Sequence, residues 1–349
     1  MTQNPIRRLT MRARLYVQDG YGLAFQKIFE GLQERGVFIS LRQIGPVVQA
    51  PVKMKGQVVI VPQPEEWEVL FCPPPEAPTP RKKTLWFTMW ESSRLQPQIV
   101  SLLSRCEHVV VPCSWCAESF KESGVNAPVS VISLGYDPTV YYQSPLSTGG
   151  PTIFGVAGRP AHCAKRKGIQ SAINLFLRTF PSEPDVRLHV KIHPNDKIDP
   201  VTDDRVKVFR DIMEPYQLGE WLRGLTAYVT LARGEGFGLW GLNAIACGRP
   251  MIGCKYSGQA DYITEKNSFQ VNFKEVPADD IGAGNTPYAG TWCEPDEEHA
   301  VEIMRAIHND RTLAVVKSNA GPASVKHLTW DATVDKFHAL LEQLGVWKT

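Results

Sequence analysis

The chain has 349 residues, a length that suits two domains, each able to bury its own core. Hydrophobic residues make up 43 % and charged residues 21 %, ordinary globular composition that argues against a disordered chain. A net charge of +2, from 38 basic and 36 acidic residues, calls for neither a nucleic-acid nor a membrane partner.

No apolar run reaches the roughly 18 residues of a membrane span. The start, MTQNPIRRLTMRARLYV, is basic but lacks an apolar signal core, so the expected location is the cytoplasm. The eight cysteines are then expected as free thiols. Cys113 and Cys116 form one C-x-x-C near Cys106 and His108, but HVVVP between them reads as a buried strand that spreads the four apart. Structural thiols are the expectation, with no metal.

In chain order, RLYVQDGYGLAFQKIFEGLQERG reads as strand, glycine loop and helix. Phe25, Ile28, Phe29 and Leu32 share the buried face of that helix, and Gly36 closes it. FISLR is a second strand. Residues 62 to 80, with CPPPEAPTP, read as an extended loop. TLWFTMW and HVVVP are strands, SWCAESFKESG is a helix, and PVSVISLG is a short strand. QSPLSTGGP, residues 143 to 151, is a linker by composition.

The pattern then restarts. TIFGVAG is a strand, and KGIQSAINLFLRTF is a helix with Ile169, Ala172, Ile173, Phe176 and Phe180 on one face. VRLHVKI, VKVF and AYVTLA are strands. After MIGC the chain turns irregular, with a polar loop over about 272 to 292. Helices are expected near 296 to 308 and 331 to 344. Two successive α/β units predict an α/β chain of two Rossmann-like domains facing across a cleft.

Ligands of open α/β sheets sit beyond the carboxyl ends of the strands. GEGFGLWGLNAIACGRPMIG follows such an end. Its glycines permit close backbone approach, and the helix starting near Leu239 presents unpaired N–H groups suited to a diphosphate. Glu235 repels phosphate but suits hydroxyl groups. A strand-to-helix turn without a ligand is the alternative. GRPAHCAKRKG also lies between strand and helix and carries Arg159, Lys165, Arg166 and Lys167. Arginine offers a planar fork to phosphate and lysine a point charge. A solvated charge run is the alternative there.

Together these segments resemble the retaining, nucleotide-sugar-dependent glycosyltransferases of GT-B fold, family-4 type. EGFGLWGLNAIACGRPMI is similar to that family's motif in length and order, and VAGRPAHCAKRKGIQSAINLF to its G-R…K-G segment. VVVPCSWCAESFKESGVNAPVSVISLGYDPTVY, YSGQADYI and DGYG match further segments, so the resemblance runs from about 15 to 345.

The resemblance implies an acceptor domain over 1–145, against which the helix from about 331 to 349 packs back, and a donor domain over 150–330. It implies transfer of a hexosyl or pentosyl group from a nucleotide sugar, with retention and without a metal or other cofactor. Arg159 and Lys167 take the phosphate positions, with the amides at Gly236, Phe237, Gly238 and Leu239. Glu235 takes the sugar hydroxyls. Gly20 and Gly22 approach the donor from the first domain. The base is placed, by position alone, near Phe209, Arg210 and Asp211. Asn243 stands where the family has a second Glu for the ribose. FTMWESSRLQ lacks the acceptor-side His of many relatives and offers Glu91 instead. There, a helix-cap region with Ser92 or Ser93 is the alternative. Asp203–Asp204 and Asp279–Asp280 are read as loop acids, since there is no D-x-D.

The acceptor is open: glycan, lipid, protein or modified DNA. Three other readings stand beside this one. A phosphorylase or epimerase on the same fold has no marked lysine for a pyridoxal cofactor. A degenerate sugar-nucleotide-binding protein is favoured by Asn243. A transferase acting on a hydroxylated DNA base would use PRKKTLWF and RLQPQ against phosphates. A bare NAD-binding protein fits poorly, because neither glycine loop reads G-x-G-x-x-G.

Overall fold

Long unbroken apolar runs such as VLF at 69–71 and VVV at 109–111 have no polar face to offer water. They form parallel strands covered on both sides. The computed structural model describes residues 8–13, 20–44, 67–160, 163–282 and 285–346. They fall into two units. The first comprises the chain up to Trp90, Arg94–Gly135 and the stretch from Leu328 on, and the second Glu91–Ser93 and Tyr136–His327.

The first unit runs β1 (Arg8–Ala13), α1 (Gly20–Glu34), β2 (Phe38–Gln43), β3 (Trp67–Phe71), β4 (Lys83–Phe87), α2 (Pro97–Leu103), β5 (His108–Val111), α3 (Ser114–Glu122) and β6 (Val129–Val131). Its six strands are parallel in the order β2-β1-β3-β4-β5-β6. Phe25 of α1 packs edge-on against Phe71 with ring centroids 5.7 Å apart, and Phe71 stacks on Phe87 at 5.1 Å. The chain's last described helix, Trp330–Gln343, closes this core with Phe337, 5.6 Å from Phe71.

Three expectations change here. The first strand is RLTMRA, whereas RLYV lies outside the described residues. Gly20 and Gly22 are not in a loop: they stand in the first turn of α1. Within 62–80, prolines mask the strand WEVLF, whose five residues are all buried. Its Glu68 accepts from the Thr79 amide at 2.6 Å, the Thr79 hydroxyl at 2.7 Å and the Thr84 hydroxyl at 3.0 Å, so the buried carboxylate is well solvated by protein. Cys113 caps α3, its sulfur accepting from the Cys116 amide, and the Cys116 thiol donates to Trp90 O.

Gly135 fits under the last helix only because it lacks a side chain. A Cβ there would lie 2.1 Å from the Thr329 carbonyl carbon and 2.3 Å from the Trp330 amide nitrogen. Backbone cannot swing aside as a side chain can. Gly135→Ala is therefore expected to destabilise the first unit by about 2 kcal/mol or more, read as a lower urea midpoint.

The second unit runs β7 (Thr152–Ala157), α4 (Ala164–Lys167), α5 (Ile169–Thr179), β8 (Val186–Lys191), β9 (Val206–Phe209), α6 (Pro215–Arg223), β10 (Ala227–Val229), α7 (Leu239–Ala246), β11 (Met251–Gly253), β12 (Ser268–Gln270), β13 (Phe273–Pro277), β14 (Thr291–Pro295), α8 (Glu297–Asn309) and α9 (Thr312–Val325). The last described helix, Trp330–Gln343, is α10. The six-stranded parallel sheet has the order β12-β11-β10-β7-β8-β9. Strand order reverses between β7 and β10, the doubly wound pattern whose switch point opens a crevice at the strands' carboxyl ends.

The polar stretch 272–292, expected to be an irregular loop, holds most of an antiparallel ribbon, β13 with β14. α9 went unseen because its burial follows no clean stripe and Pro322 lies inside it. Arg249 in the ACGRP segment is 2 % exposed and donates to the carbonyls of Arg223, Ser144, Cys247 and Gly248. It ties the linker and the end of α6 to the turn after α7. Burial draws its pKa down to about 10, and it remains a cation at neutral pH.

Candidate functional site

The two sequence motifs leave the carboxyl ends of the two strands that flank the switch point. GRPAHCAKRKG follows β7, and GEGFG follows β10. Neighbouring strands lie about 4.8 Å apart, so topology alone brings these loops side by side.

The first loop ends in the single turn α4 and Gly168. Gly168 has φ +63°, and a Cβ on it would lie 2.4 Å from Leu231 O, at the end of β10. Only glycine lets the loops approach so closely. Across that contact, Lys167 Nζ reaches Glu235 Oε1 at 2.6 Å and Oε2 at 2.8 Å. The backbone of Glu235 is pinned from the other side by the YSGQADYI segment. Its N–H donates to Ser257 Oγ at 2.9 Å, and its carbonyl accepts from the Gly258 amide at 2.9 Å. Gly258 must also be bare, since a Cβ would meet Gly236 O at 2.5 Å.

Gly238, at φ +86°, caps α7, and its carbonyl accepts from Tyr262 OH at 2.6 Å. Phe237 turns inward and packs on Tyr262 with centroids 5.6 Å apart. It is 2 % exposed, so only its backbone is available to a ligand. Leu239 opens α7. One turn on, Asn243 is buried, and its Oδ1 has no hydrogen-bond partner among the described residues.

Arg166 is not the solvent-facing cation that a charge run implies. It is 5 % exposed. Its Nη1 donates to Gly234 O at 2.6 Å and lies 3.9 Å from Glu235 Oε2, while Nη2 is 3.6 Å from Glu91 Oε1. Tyr288 donates its hydroxyl to Glu91 Oε2 at 2.8 Å and lies under the guanidinium at 5.9 Å. Glu91 thus belongs to the same cluster as Lys167 and Glu235. The helix-cap alternative fails: α2 begins at Pro97 with Gln96 at its cap. Ser93 instead exchanges hydrogen bonds with Thr291.

Burial alone would raise the Glu235 pKa. The Lys167 ammonium and the Arg166 guanidinium outweigh it and hold the carboxyl below its ordinary value. Burial opposes the charge of Arg166, yet Glu91, Tyr288 and Glu235 keep it firmly protonated. Burial first, then the nearby Glu91 charge, push the Tyr288 phenol upward, so it stays a donor.

Arg159 and Arg210 meet elsewhere in the same unit. Arg159 Nε donates to Asp196 Oδ2 at 3.1 Å, and Arg210 Nη1 donates to Asp196 O at 2.6 Å. Arg159 follows β7, Asp196 follows β8 and Arg210 follows β9, so three adjacent carboxyl ends converge. Phe209 is taken up by packing against His189 and Trp221. Asp203 pairs with Arg205 at 2.6 Å, and Asp279 pairs with Lys165. Of the stretches proposed to touch DNA, Lys83 sits over the Trp67 ring and Arg94 pairs with Glu122.

Sequence reading missed Tyr288, Ser257 and Asp196. Ser257 lies in a segment already marked by the resemblance. Tyr288 and Asp196 carry no local signal.

No protein-family model matches the chain. No curated protein sequence matches it either. Solved structures do. The sucrose-phosphate synthase of Thermosynechococcus elongatus superposes with a TM-score of 0.68 at 14 % identity, over 97 % of this chain and 99 % of that one. The α,α-trehalose 6-phosphate synthase of Burkholderia multivorans gives 0.65 at 10 %, with the same coverage. The pneumococcal O-GlcNAc transferase GtfA, in complex with UDP and GlcNAc, gives 0.53 at 13 %, over 75 % of this chain and 53 % of that one. The chain has the GT-B fold. Among the described residues no helix is long and apolar enough to cross a membrane.

Proposed function

We propose that the chain is a glycosyltransferase that moves a sugar from a nucleotide sugar to an acceptor hydroxyl, with retention and without a metal. The observation that carries this reading is the Lys167–Glu235 pair, 2.6 Å apart where the β7 and β10 loops meet. A phosphate-seeking cation and a hydroxyl-seeking carboxylate stand side by side where a doubly wound sheet binds its ligand. A sugar diphosphate offers both partners at that spacing. Its phosphate takes Lys167, and its sugar hydroxyls take the carboxylate that Lys167 releases.

Breaking the sugar–phosphate bond puts negative charge on the leaving phosphate. Lys167, Arg159 and the amides from Gly236 to Leu239 bring cations and dipoles to that charge. These cations supply the neutralisation that a metal supplies elsewhere. Among the described residues the Asn243 Oδ1 acceptor has no hydrogen-bond partner, which suits a ribose hydroxyl. The GtfA structure contains UDP and GlcNAc, and a nucleoside-diphosphate sugar is the donor class proposed here. The acceptor is any of a glycan, lipid, protein or modified DNA.

A panel of nucleotide sugars in thermal unfolding tests this. A ligand at 100 times its Kd stabilises by about 2.7 kcal/mol, so the true donor should raise Tm by several degrees. The bare sugar should not. A panel with no stabilising nucleotide sugar sinks the reading. Binding without turnover across varied acceptors sinks the transferase half and leaves a sugar-nucleotide-binding protein.

A further inference from the structure

Glu235 pairs with two cations of different kinds, hydrogen-bonded to Lys167 and 3.9 Å from the Arg166 guanidinium. Lys167 is 21 % exposed and sits on a flexible stem. Arg166 is buried and immobilised: Nη1 on Gly234 O, Nη2 beside Glu91, and its plane over Tyr288. Glu91 is itself fixed. Its carboxylate accepts from Tyr288, and a Cβ on Gly234 would stand only 2.2 Å from Glu91 O, so the two backbones are in contact. The next residues, Ser92 and Ser93, are held as well: Ser92 is fully buried, and Ser93 bonds Thr291 at the start of β14. The Arg166 carbonyl accepts from the Arg233 amide at 2.8 Å, so the β7 and β10 loops are joined through this residue's backbone as well as its side chain.

Resting on the donor reading above, we propose that Arg166 is a positioning residue for Glu235. Glu91 and Tyr288 lock it, and it holds the Glu235 carboxylate in place when Lys167 turns to the donor's phosphates. In the unliganded protein the two cations share that carboxylate. With donor bound, Lys167 has a better partner in a phosphate oxygen. The carboxylate would then be free to swing or to take up a proton. Arg166 stays, since its contacts with Gly234 O, Glu91 and Tyr288 do not involve the donor. Glu91 is on this account a positioning residue too, acting through Arg166, and not the group that meets the acceptor.

Among the described residues, the charged and titratable groups around Glu235 are Lys167 and Arg166 from the β7 loop and Tyr228 from β10, with Glu91 and Tyr288 behind Arg166. Of these, only Lys167 and Arg166 lower its proton affinity. Removing Arg166 therefore shifts the carboxyl upward.

The test is Arg166→Met, with Tyr288→Phe and Glu91→Gln as milder variants should the first not fold. Carbon-detected titration of the Glu235 carboxyl in the unliganded protein, assigned with Glu235→Gln, should move up by about one pH unit in Arg166→Met. It should move the other way, downward, in Glu91→Gln, where Arg166 loses its other carboxylate and turns its charge to Glu235. With the donor found by the panel, kcat should fall about 10- to 100-fold while donor KM stays within about threefold, and the acid limb of kcat/KM should rise in pH. An unchanged Glu235 titration with unchanged kcat overturns the proposal. So does a lowered Tm with normal kcat in the folded fraction, the mark of a merely structural residue. If wild-type protein is stabilised by no nucleotide sugar, the donor reading falls, and the unliganded titration still decides whether Arg166 governs Glu235.

Discussion

Lys167→Ala is expected to cost transfer about 10²- to 10³-fold and leave the chain folded. Glu235→Ala is expected to lose at least as much. Lys167 makes no contact that the β7 loop needs in order to close: Gly168 and the Arg166 backbone do that work. Its ammonium meets only the Glu235 carboxylate among the described side chains, and it is partly in water. Its loss leaves Glu235 beside Arg166, so no charge is stranded. Stability at neutral pH should fall by no more than about 1 kcal/mol.

The pH dependence fixes the sign. The Glu235 carboxyl is held below its ordinary value in the folded chain. Its contribution to stability is complete above the unfolded-state carboxyl value and is lost as pH falls through the folded one. Lys167→Ala raises the folded value, so less of this contribution remains to lose. Wild type and variant should therefore differ in urea midpoint at pH 7 and converge toward pH 3. A folded Lys167→Ala protein with full transfer activity would remove Lys167 from the phosphate role.

The part of this site that can be read in sequence is the part built locally. Gly168, Gly234 and Gly238 stand at strand-to-helix turns, and Lys167 and Glu235 are each one residue from such a glycine. Punctuation of this kind marks where a loop ends a strand, whatever the rest of the fold does. Chain order also implies which strands are parallel. What stays hidden is set by distant packing. Tyr288 reaches Glu91 across 197 positions. Arg166 looks like its basic neighbours in sequence and differs only in being buried. The ribbon β13–β14 hides because four of the five residues in β13 face solvent. A polar exposed strand has no apolar alternation to betray it. β3 hides for the opposite reason: prolines around it dominate composition while five buried residues decide the structure.

Arg159→Ala should differ from Lys167→Ala in losing stability as well as transfer. The Asp196 side chain is fully buried, and Arg159 is its ion-pair partner. Among the described residues, removing the guanidinium leaves this buried carboxylate the His193 amide, 3.4 Å away, and the charge of Lys191, whose ammonium hydrogen-bonds the Ile192 and Asp211 carbonyls instead. A buried carboxylate that loses its paired cation costs up to about 3 kcal/mol, and the Lys191 charge offsets part of that. Arg210 cannot take over as it stands, because its guanidinium is spent on the Asp196 carbonyl. Asp196→Asn added to Arg159→Ala removes the stranded charge, and the double variant should regain most of the lost stability while transfer stays absent. Asp196→Asn alone should cost less than Arg159→Ala, since Arg159 is 19 % exposed and water can solvate it. It should still weaken donor binding, because the guanidinium keeps its charge but loses the anchor that aims it. Urea unfolding of the four proteins closes the cycle. A double variant no more stable than Arg159→Ala would show that the pair is not what holds this corner of the sheet, and with it would go the claim that Asp196 presents Arg159 to the donor.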